Sequence, residues 1–188
     1  MDVVERVLSF WFDEKAPDLA IDGHCRMAWF KKDDAFDNAI RDQFEDDVTA
    51  AANGEYDALR KTVKGVLTLS ILLDQFPRNI YRGSPQAFAT DALALDIVKG
   101  AVASGFDVEL GKSRRIFLYL PFEHSENLDD QDMAVRLFKA LNDEQSYIYA
   151  LEHYYVISRF SRFPGRNAAL GRYSTPEELE FLEVFGAY

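Results

Sequence analysis

Residues 66–83 read Val-Leu-Thr-Leu-Ser-Ile-Leu-Leu-Asp-Gln-Phe-Pro-Arg-Asn-Ile-Tyr-Arg-Gly. Apolar side chains fill several faces of this stretch, which predicts a helix from Val63 to Phe76 that is buried on most sides. Pro77 should end the helix, because proline has no backbone N–H to continue the hydrogen-bond ladder. Polar residues crowd this end: Asp74, Gln75, Arg78, Asn79 and Arg82.

The end of this helix is echoed later in the chain. Phe76-Pro77-Arg78-Asn79 recurs as Phe163-Pro164-Gly165-Arg166-Asn167, again after an apolar helical run. A glycine and then a Ser-Pro or Thr-Pro pair follow each copy, and such pairs often start a helix. One interpretation is that both polar turns only stabilise helix ends, because two similar helix ends would need similar stabilising contacts.

Helical patterns fill most of the remaining chain. Phe36, Ile40, Phe44 and Val48 make one apolar stripe at a spacing of four residues. No segment alternates apolar and polar residues over the length of a strand, and no linker or change in composition marks a second domain. We therefore predict a single all-α domain over residues 1–188, with about eight to nine helices in stacked hairpins.

The composition narrows the class of protein and its partners. The chain has 188 residues, 48% of them hydrophobic, and a net charge of −11, which disfavours nucleic acid and anionic membranes as partners. No apolar run approaches the roughly 20 residues that span a bilayer, and the acidic start lacks the basic region of a secretory leader. The single Cys25 excludes an intramolecular disulfide and suits a reducing compartment. We predict a soluble cytoplasmic protein.

The first polar cluster surrounds Asp74. An acid near the C-terminal end of a helix opposes the helix dipole, and Arg78, four residues on, can compensate it. Asp74 then either fastens the turn through arginines and backbone groups or contacts a ligand directly. Asp91, set among the alanines and leucines of its helix, is another candidate buried acid. Asp74, Arg78 and Asn79 are candidate binding residues.

The second cluster is Pro121-Phe122-Glu123-His124-Ser125-Glu126-Asn127, which follows another apolar helical run. A histidine flanked by acids is a pattern typical of general acid–base chemistry. Glu123 and His124 are therefore candidate catalytic residues and Glu126 a candidate binding residue, although the histidine could also serve only to close a helix end. Adjacent residues diverge by about 100° on a helix, so we predict no metal site here.

The third cluster lies in residues 159–172, which contain four arginines and no acid. These arginines either pair with acids elsewhere in the chain or bind an anion, because guanidinium groups match carboxylate and phosphate. The candidate binding residues are Arg159, Arg162, Arg166 and Asn167. His153, on the tyrosine-rich helix that precedes them, is a third candidate catalytic residue.

Several long motifs are similar to those of a known bacterial family. They are Val-Leu-Ser-Phe-Trp-Phe (7–12), Leu-Leu-Asp-Gln-Phe-Pro-Arg-Asn (72–79), Ala-Phe-Ala-Thr-Asp (87–91), Phe-Leu-Tyr-Leu-Pro-Phe-Glu-His-Ser-Glu (117–126) and Arg-Phe-Ser-Arg-Phe-Pro-Gly-Arg-Asn (159–167). The chain resembles domain-of-unknown-function family 924 over essentially its whole length. The resemblance implies an all-α fold of the tetratricopeptide-repeat-like superfamily and implies no activity. At Gly165 the family motif leads us to expect a histidine, so chemistry that needs that side chain would be absent.

Two functions fit these observations. In the first, the three clusters converge in a pocket between stacked helices and bind a small anionic or polar molecule. Arginines 159, 162 and 166 would hold the anion, His124 or His153 would act as acid or base, and Asp74 would orient an arginine.

In the second, the protein is an interaction module and its polar motifs are purely structural. A concave groove, lined by Tyr147, Tyr154 or Trp29, would then bind a peptide or a partner helix. The sequence indicates no cofactor, reaction or oligomeric state. It also leaves open whether the protein is an enzyme.

Overall fold

The computed structural model describes residues 2–12, 29 and 32–186. All regular elements in this part of the chain are helices, which confirms the predicted all-α class. Met1 and Cys25 lie outside the described residues. Of the helices in the described ranges, none is both long and apolar enough to cross a bilayer.

Eight α-helices run through the described residues, in agreement with the predicted eight to nine. They are α1 (Val3–Phe12), α2 (Asp34–Ala52), α3 (63–80), α4 (Asp91–Ala103), α5 (Lys112–Glu123), α6 (Leu128–Ala140), α7 (Glu144–Phe160) and α8 (Pro176–Phe185). Short 3₁₀ turns lie between some of them, including Pro85–Phe88 before α4 and Pro164–Arg166 before α8.

Side-chain caps explain where several helices begin. Asp33 accepts hydrogen bonds from two N–H groups in the first turn of α2, and Asn127 does the same for α6. Thr175 begins α8 in a reciprocal capping box with Glu178. Each cap contributes on the order of 1 kcal/mol, because the first N–H groups of a helix have no partner within it.

Close contacts between residues divide the chain into two compact units. Unit 1 comprises Met1–Arg82 and Gln86–Pro121, and unit 2 comprises Gly83–Pro85 and Phe122–Tyr188. One domain over residues 1–188 stays a prediction.

Aromatic rings form the core of unit 1. Trp11 is fully buried, and the ring centroids of Trp29, Phe76 and Phe117 lie 6.0, 5.5 and 5.3 Å from its own. The indole N–H of Trp29 donates to the carbonyl oxygen of Trp11 at 3.0 Å. The predicted stripe of α2 also faces this core, with Phe44 4.9 Å from Phe76.

α3 does not end at Pro77, contrary to our prediction. It is α-helical over Val63–Ser70, widens to a π turn over Ile71–Gln75 and is α-helical again over Phe76–Ile80. The π turn closes through the N–H of its following residue, which donates to the carbonyl five residues back. Pro77 therefore falls at the start of a new α-helical segment, where the missing N–H costs least.

Pro77 and Pro121 lie within helices and have no N–H to donate to the backbone carbonyl four residues earlier. In each case that carbonyl accepts a hydrogen bond from the hydroxyl group of a threonine or serine outside the same helix. The pairs are Thr90 with Leu73 behind Pro77, and Ser70 with Phe117 behind Pro121. A buried carbonyl without a donor costs about 1–3 kcal/mol, so these contacts make proline tolerable inside buried helices.

In unit 2, α6 and α7 pack against each other as the kind of hairpin that short loops predict. α7 turns Ala150, Val156 and Ile157 inward. The last two join Phe163 and Phe181 in a small apolar core. This packing fixes which face of α7 looks towards the interior of the unit.

The variant Ser70→Ala removes the hydroxyl that donates to the Phe117 carbonyl, four residues before Pro121. Because this buried carbonyl then loses its hydrogen bond, we expect the free energy of unfolding to fall by about 1–3 kcal/mol. Pro121→Ala restores an N–H four residues after that carbonyl. The loss caused by Ser70→Ala should therefore shrink in a Pro121→Ala background, as measured by urea unfolding.

Thr49→Ala is the matched control, because the Thr49 hydroxyl is exposed and bonds only to its own helix. We expect it to change stability by less than about 0.5 kcal/mol. Equal losses for Ser70→Ala in the two backgrounds would contradict the assigned role of the hydroxyl.

Candidate functional site

The turn that follows α5 is held from α6. Gln131 is fully buried, and its side-chain nitrogen donates to the carbonyl oxygens of Glu123 and Ser125 at 2.6 and 2.7 Å. The Ser125 hydroxyl donates to the carboxylate of Asp130 at 2.9 Å. These contacts fix the backbone around His124, so both predicted catalytic residues of this turn sit on a rigid support.

Glu123 and His153 meet inside unit 2. Glu123 is 4% exposed, and its Oε1 lies 3.4 Å from Nδ1 of His153. The same nitrogen lies 2.9 Å from the carbonyl oxygen of Tyr149, one turn earlier in α7. The ring centroid of His124 is 6.3 Å from that of His153. The end of α5 and the middle of α7 thus bring the three predicted catalytic residues together.

Arg166 lies beside this group. The residue is 8% exposed, and its Nη2 donates to the carbonyl oxygen of His124 at 2.9 Å. Its Cζ is 4.4 Å from the ring centroid of Phe163, which itself lies 5.5 Å from the His153 ring. An aromatic face attracts a guanidinium and helps it to keep its charge when it is buried. The turn at residues 163–167 therefore places a guanidinium against the backbone of His124 and over a ring that borders His153.

Glu126 fastens that turn. Its carboxylate accepts two hydrogen bonds from Arg172, at 2.7 and 2.9 Å, and one from the backbone N–H of Phe163 at 2.8 Å. Burial raises the pKa of Glu126, but the hydrogen bonds from Arg172 and Phe163 outweigh it and hold the pKa below its usual value. The predicted binding residue Glu126 is thus an ionised partner for an internal arginine.

Glu178 has a similar setting at the start of α8. The residue is 2% exposed, and Arg162 donates to both of its carboxylate oxygens, at 2.6 and 2.8 Å. The side-chain nitrogen of Asn167 and the backbone N–H of Thr175 donate to Oε2. The hydrogen bonds from Arg162 lower the pKa of Glu178 to about 2, although burial acts in the opposite direction.

Three of the four arginines in 159–172 therefore pair with acids of unit 2. Arg159 completes the set, because it donates to Glu177 at 2.9 and 2.7 Å on the surface of the protein. The interpretation that these arginines pair internally is confirmed for Arg159, Arg162 and Arg172. A direct role for Arg159 or Arg162 in binding an anion stays a prediction.

The Asp74 cluster lies in unit 1. Asp74 is fully buried on the π turn, and Nη1 of Arg78 lies 3.2 Å from its Oδ1. Arg78 also donates to both carboxylate oxygens of Asp91 in α4, at 2.8 and 2.9 Å. Burial lowers the pKa of Arg78, but the attraction of the two acids outweighs it and raises the pKa. Convergence of this cluster with the residues of unit 2 stays a prediction.

The asparagines of the two echoed turns, Asn79 and Asn167, have similar surroundings. Asn79 donates to Asp37 in α2 at 2.7 Å, and Arg82 donates two hydrogen bonds of 2.9 Å to the same carboxylate. Asn167 and Arg162 share Glu178 in the same manner. In both places an asparagine and the Nε and Nη2 atoms of an arginine hold one buried acid. This supports a structural role for both polar turns.

Sequence analysis did not name four residues of these clusters as site residues: Asp37, Gln131, Arg172 and Glu178. The burial of Asp37 could have been predicted from the sequence, because it lies three and seven residues before Ile40 and Phe44 and thus on the apolar face of α2. Glu178 also had a local signal, as the fourth position of a Thr-Pro-Glu-Glu helix start is typical of a capping box. Arg172 belongs to the arginine-rich segment 159–172, which was expected to pair with acids elsewhere, whereas Gln131 had no local signal, since its partners lie outside its own helix.

The groove predicted for an interaction module is not formed by all of its named residues. Trp29 is 9% exposed and belongs to the core of unit 1. Tyr147 and Tyr154 are half-buried, whereas Tyr149 and Tyr155 are each 50% exposed.

Within the described ranges, no three or more His, Cys, Asp or Glu side chains come close enough together to hold a metal ion.

Asp91→Asn tests the clamp on Arg78. The change removes one of the two charges that compensate a largely buried guanidinium, so we expect a loss of about 2 kcal/mol in unfolding free energy. Asp96→Asn is the control on the same helix, because the Asp96 side chain is 73% exposed and its pair with Arg60 should contribute little. Similar urea midpoints for the two variants would show that the clamp does not stabilise the fold.

The low pKa of Glu178 makes stability depend on pH. Its folded pKa lies below the ordinary value of 4.5, so the carboxylate stabilises the fold above that pH and loses this contribution as the pH falls towards 2. The Arg162 side chain is 29% exposed, and after allowance for solvent screening we expect about 1–2 kcal/mol.

Glu178→Gln should therefore be less stable than the unmodified protein at neutral pH, and the difference should vanish in strong acid. Urea unfolding across this pH range measures it. Glu177→Gln serves as the control, because its carboxylate is exposed and should show little effect at any pH. A constant difference for Glu178→Gln at all pH values would refute the linkage.

Comparisons with known proteins cover nearly the whole chain. A solved structure of a protein of unknown function from Agrobacterium tumefaciens is similar, with a TM-score of 0.86 and 38% sequence identity over 97% of each chain. None of the curated proteins compared matches the chain. The family model described as bacterial protein of unknown function (DUF924) matches residues 7–186, and the chain therefore belongs to this family.

Proposed function

We propose that the protein binds a small polar or anionic molecule at the cluster of Glu123, His124, His153 and Arg166, and that a histidine exchanges a proton with it. The observation that carries this proposal is the contact between the buried Glu123 carboxylate and His153. A carboxylate beside one ring nitrogen of a histidine orients the ring and stabilises its charged form, which is a requirement of general acid–base chemistry.

The composition of the cluster supports a role beyond structure. Asp37, Glu126 and Glu178 each accept two hydrogen bonds from one arginine side chain. Such pairs fasten turns and stay ionised over the physiological pH range. Glu123 lies beside a histidine and near a second one. Histidine is the side chain whose unperturbed charge changes close to neutral pH, so this cluster suits proton transfer.

The hydrogen-bond geometry supports one ring nitrogen of His153 as the atom that exchanges the proton. Nδ1 of His153 faces the Tyr149 carbonyl oxygen, which can only accept, so Nδ1 must carry a hydrogen. Nε2 is then the atom that gains or loses a proton. Glu123, on the Nδ1 side, would stabilise the imidazolium that forms when Nε2 accepts a proton.

Two further groups support a polar ligand. Arg166 supplies a buried guanidinium, which matches carboxylate or phosphate groups. Gln131 Oε1 is buried without a hydrogen-bond donor among the described residues, while its amide nitrogen is fully engaged at this turn. A buried acceptor of this kind favours a bound water or a donor group of the ligand.

The ligand class follows from the charges. A net charge of −11 disfavours nucleic acid and anionic membrane surfaces, so we propose a small molecule of the cytoplasm. Glu126 and Asn167 are proposed to position the 163–167 turn. Contributions from the predicted binding residues Asp74, Arg78 and Asn79 remain part of the proposal only if that cluster reaches the same ligand.

Histidine side-chain NMR with inorganic phosphate and small carboxylates tests this function. We expect at least one probe to shift the His124 and His153 resonances in the unmodified protein. His153→Gln and Arg166→Gln should weaken that binding by about tenfold or more, because each removes a charged contact. The control is Arg136→Gln, an exposed arginine on α6, which should bind normally.

Circular dichroism must show that the variants remain folded. The proposal fails if no probe shifts either histidine, or if His153→Gln and Arg166→Gln bind a probe as well as Arg136→Gln does.

A further inference from the structure

Gln131 carries an acceptor atom that its own hydrogen bonds do not use. The residue is fully buried in the first turn of α6. Its side-chain nitrogen donates to the carbonyl oxygens of Glu123 and Ser125 at 2.6 and 2.7 Å, which uses both hydrogens of the amide. Both partners can only accept, so the nitrogen and not the oxygen must face them. Oε1 is therefore left for another donor.

The fold supplies no such donor from the part of the chain that the structure describes. Of the buried side-chain acceptors in residues 2–12, 29 and 32–186, Oε1 of Gln131 is the one that lacks a hydrogen bond. Buried polar groups are almost always hydrogen-bonded, because a buried acceptor without a donor costs free energy. We therefore expect the donor to come from a bound molecule.

Gln131 lies close to the proposed ligand cluster. It donates to the backbone carbonyls of residues 123 and 125, and Nη2 of Arg166 donates to the carbonyl of His124 between them, at 2.9 Å. Neighbouring Cα atoms are about 3.8 Å apart, so the amide and the guanidinium lie within about 10 Å of each other. One small molecule can contact both.

We propose that the ligand of this cluster is a small hydroxylated anion, whose charged group binds Arg166 and whose hydroxyl donates to Oε1 of Gln131. The inference rests on the proposed function, because it assigns a ligand class to the same site. Carboxylate and phosphate both match a guanidinium, so the class comprises hydroxy acids and phosphorylated polyols.

A hydroxyl group suits this acceptor better than an ammonium group does. A hydroxyl has one hydrogen to donate, and Gln131 offers one acceptor atom without a donor. An ammonium has three hydrogens and a charge, so burying it costs more free energy when its donors are not all bound. A hydroxy acid is therefore expected to bind more tightly than the matching amino acid.

Matched pairs of probes test the hydroxyl on the unmodified protein. The pairs are glycolate with acetate, lactate with propionate, and glycerol phosphate with methyl phosphate. Binding is followed by the side-chain NMR signals of His124 and His153. In at least one pair the hydroxylated member should bind about three- to tenfold more tightly, as expected for one hydrogen bond to a buried acceptor. Glycine should bind more weakly than glycolate.

Gln131→Met removes the acceptor and keeps a side chain of similar length. The ratio of the two dissociation constants within a pair should fall to about one, because neither probe then has a partner for a hydroxyl. A purely structural role of Gln131 would instead weaken both members alike and leave the ratio unchanged.

Gln43→Met is the matched control, since Gln43 is exposed on α2 and its side-chain nitrogen donates to Ala39 in the same helix. It should leave the ratio as in the unmodified protein. If Gln131→Met does not fold, the comparison of pairs on the unmodified protein decides alone.

Equal binding within every pair overturns this inference and leaves the proposed function standing. A hydroxyl preference that survives in folded Gln131→Met also overturns it, as does tighter binding of glycine than of glycolate. If no probe of any pair binds, the proposed function fails and this inference falls with it.

Discussion

The fully buried carboxylate of Asp74 imposes the main electrostatic constraint on unit 1. A buried charge must be compensated, and Arg78 provides this from the next turn of α3. Arg78 is then held by Asp91, while the preceding residue, Thr90, donates to the carbonyl of Leu73 behind the proline. Two consecutive residues at the start of α4 thus stabilise the interrupted end of α3. The π turn, the proline and the buried acid form one structural solution.

Unit 2 uses charge in two different ways. Arginines clamp Glu126 and Glu178, and these pairs fix the turn at residues 163–167 and the start of α8. The carboxylate of Glu123 has a histidine beside it, a side chain whose unperturbed charge changes near neutral pH. The closed pairs fix the turn that carries Arg166, and such rigid support is what the proposed acid–base site requires.

The two sides of α7 carry different side chains. Its inward side carries His153 and the residues of the small core, and its outward side carries Ile148, Leu151 and Tyr155. The helical period keeps the two sides apart, since residues two positions apart, such as Leu151 and His153, point about 200° from each other.

The sequence by itself determined the fold class, most helices and the three polar clusters, because apolar periodicity, caps and proline positions act over a few residues. Residues 66–83 were enough to predict a buried helix with a polar end. Tertiary structure decided the course of α3 past Pro77, since the hydroxyl that makes the proline tolerable comes from Thr90 in another helix. It also decided which acid each arginine binds, and that Glu123 meets His153. Such pairings depend on distances between elements far apart in the chain, and these follow from packing alone.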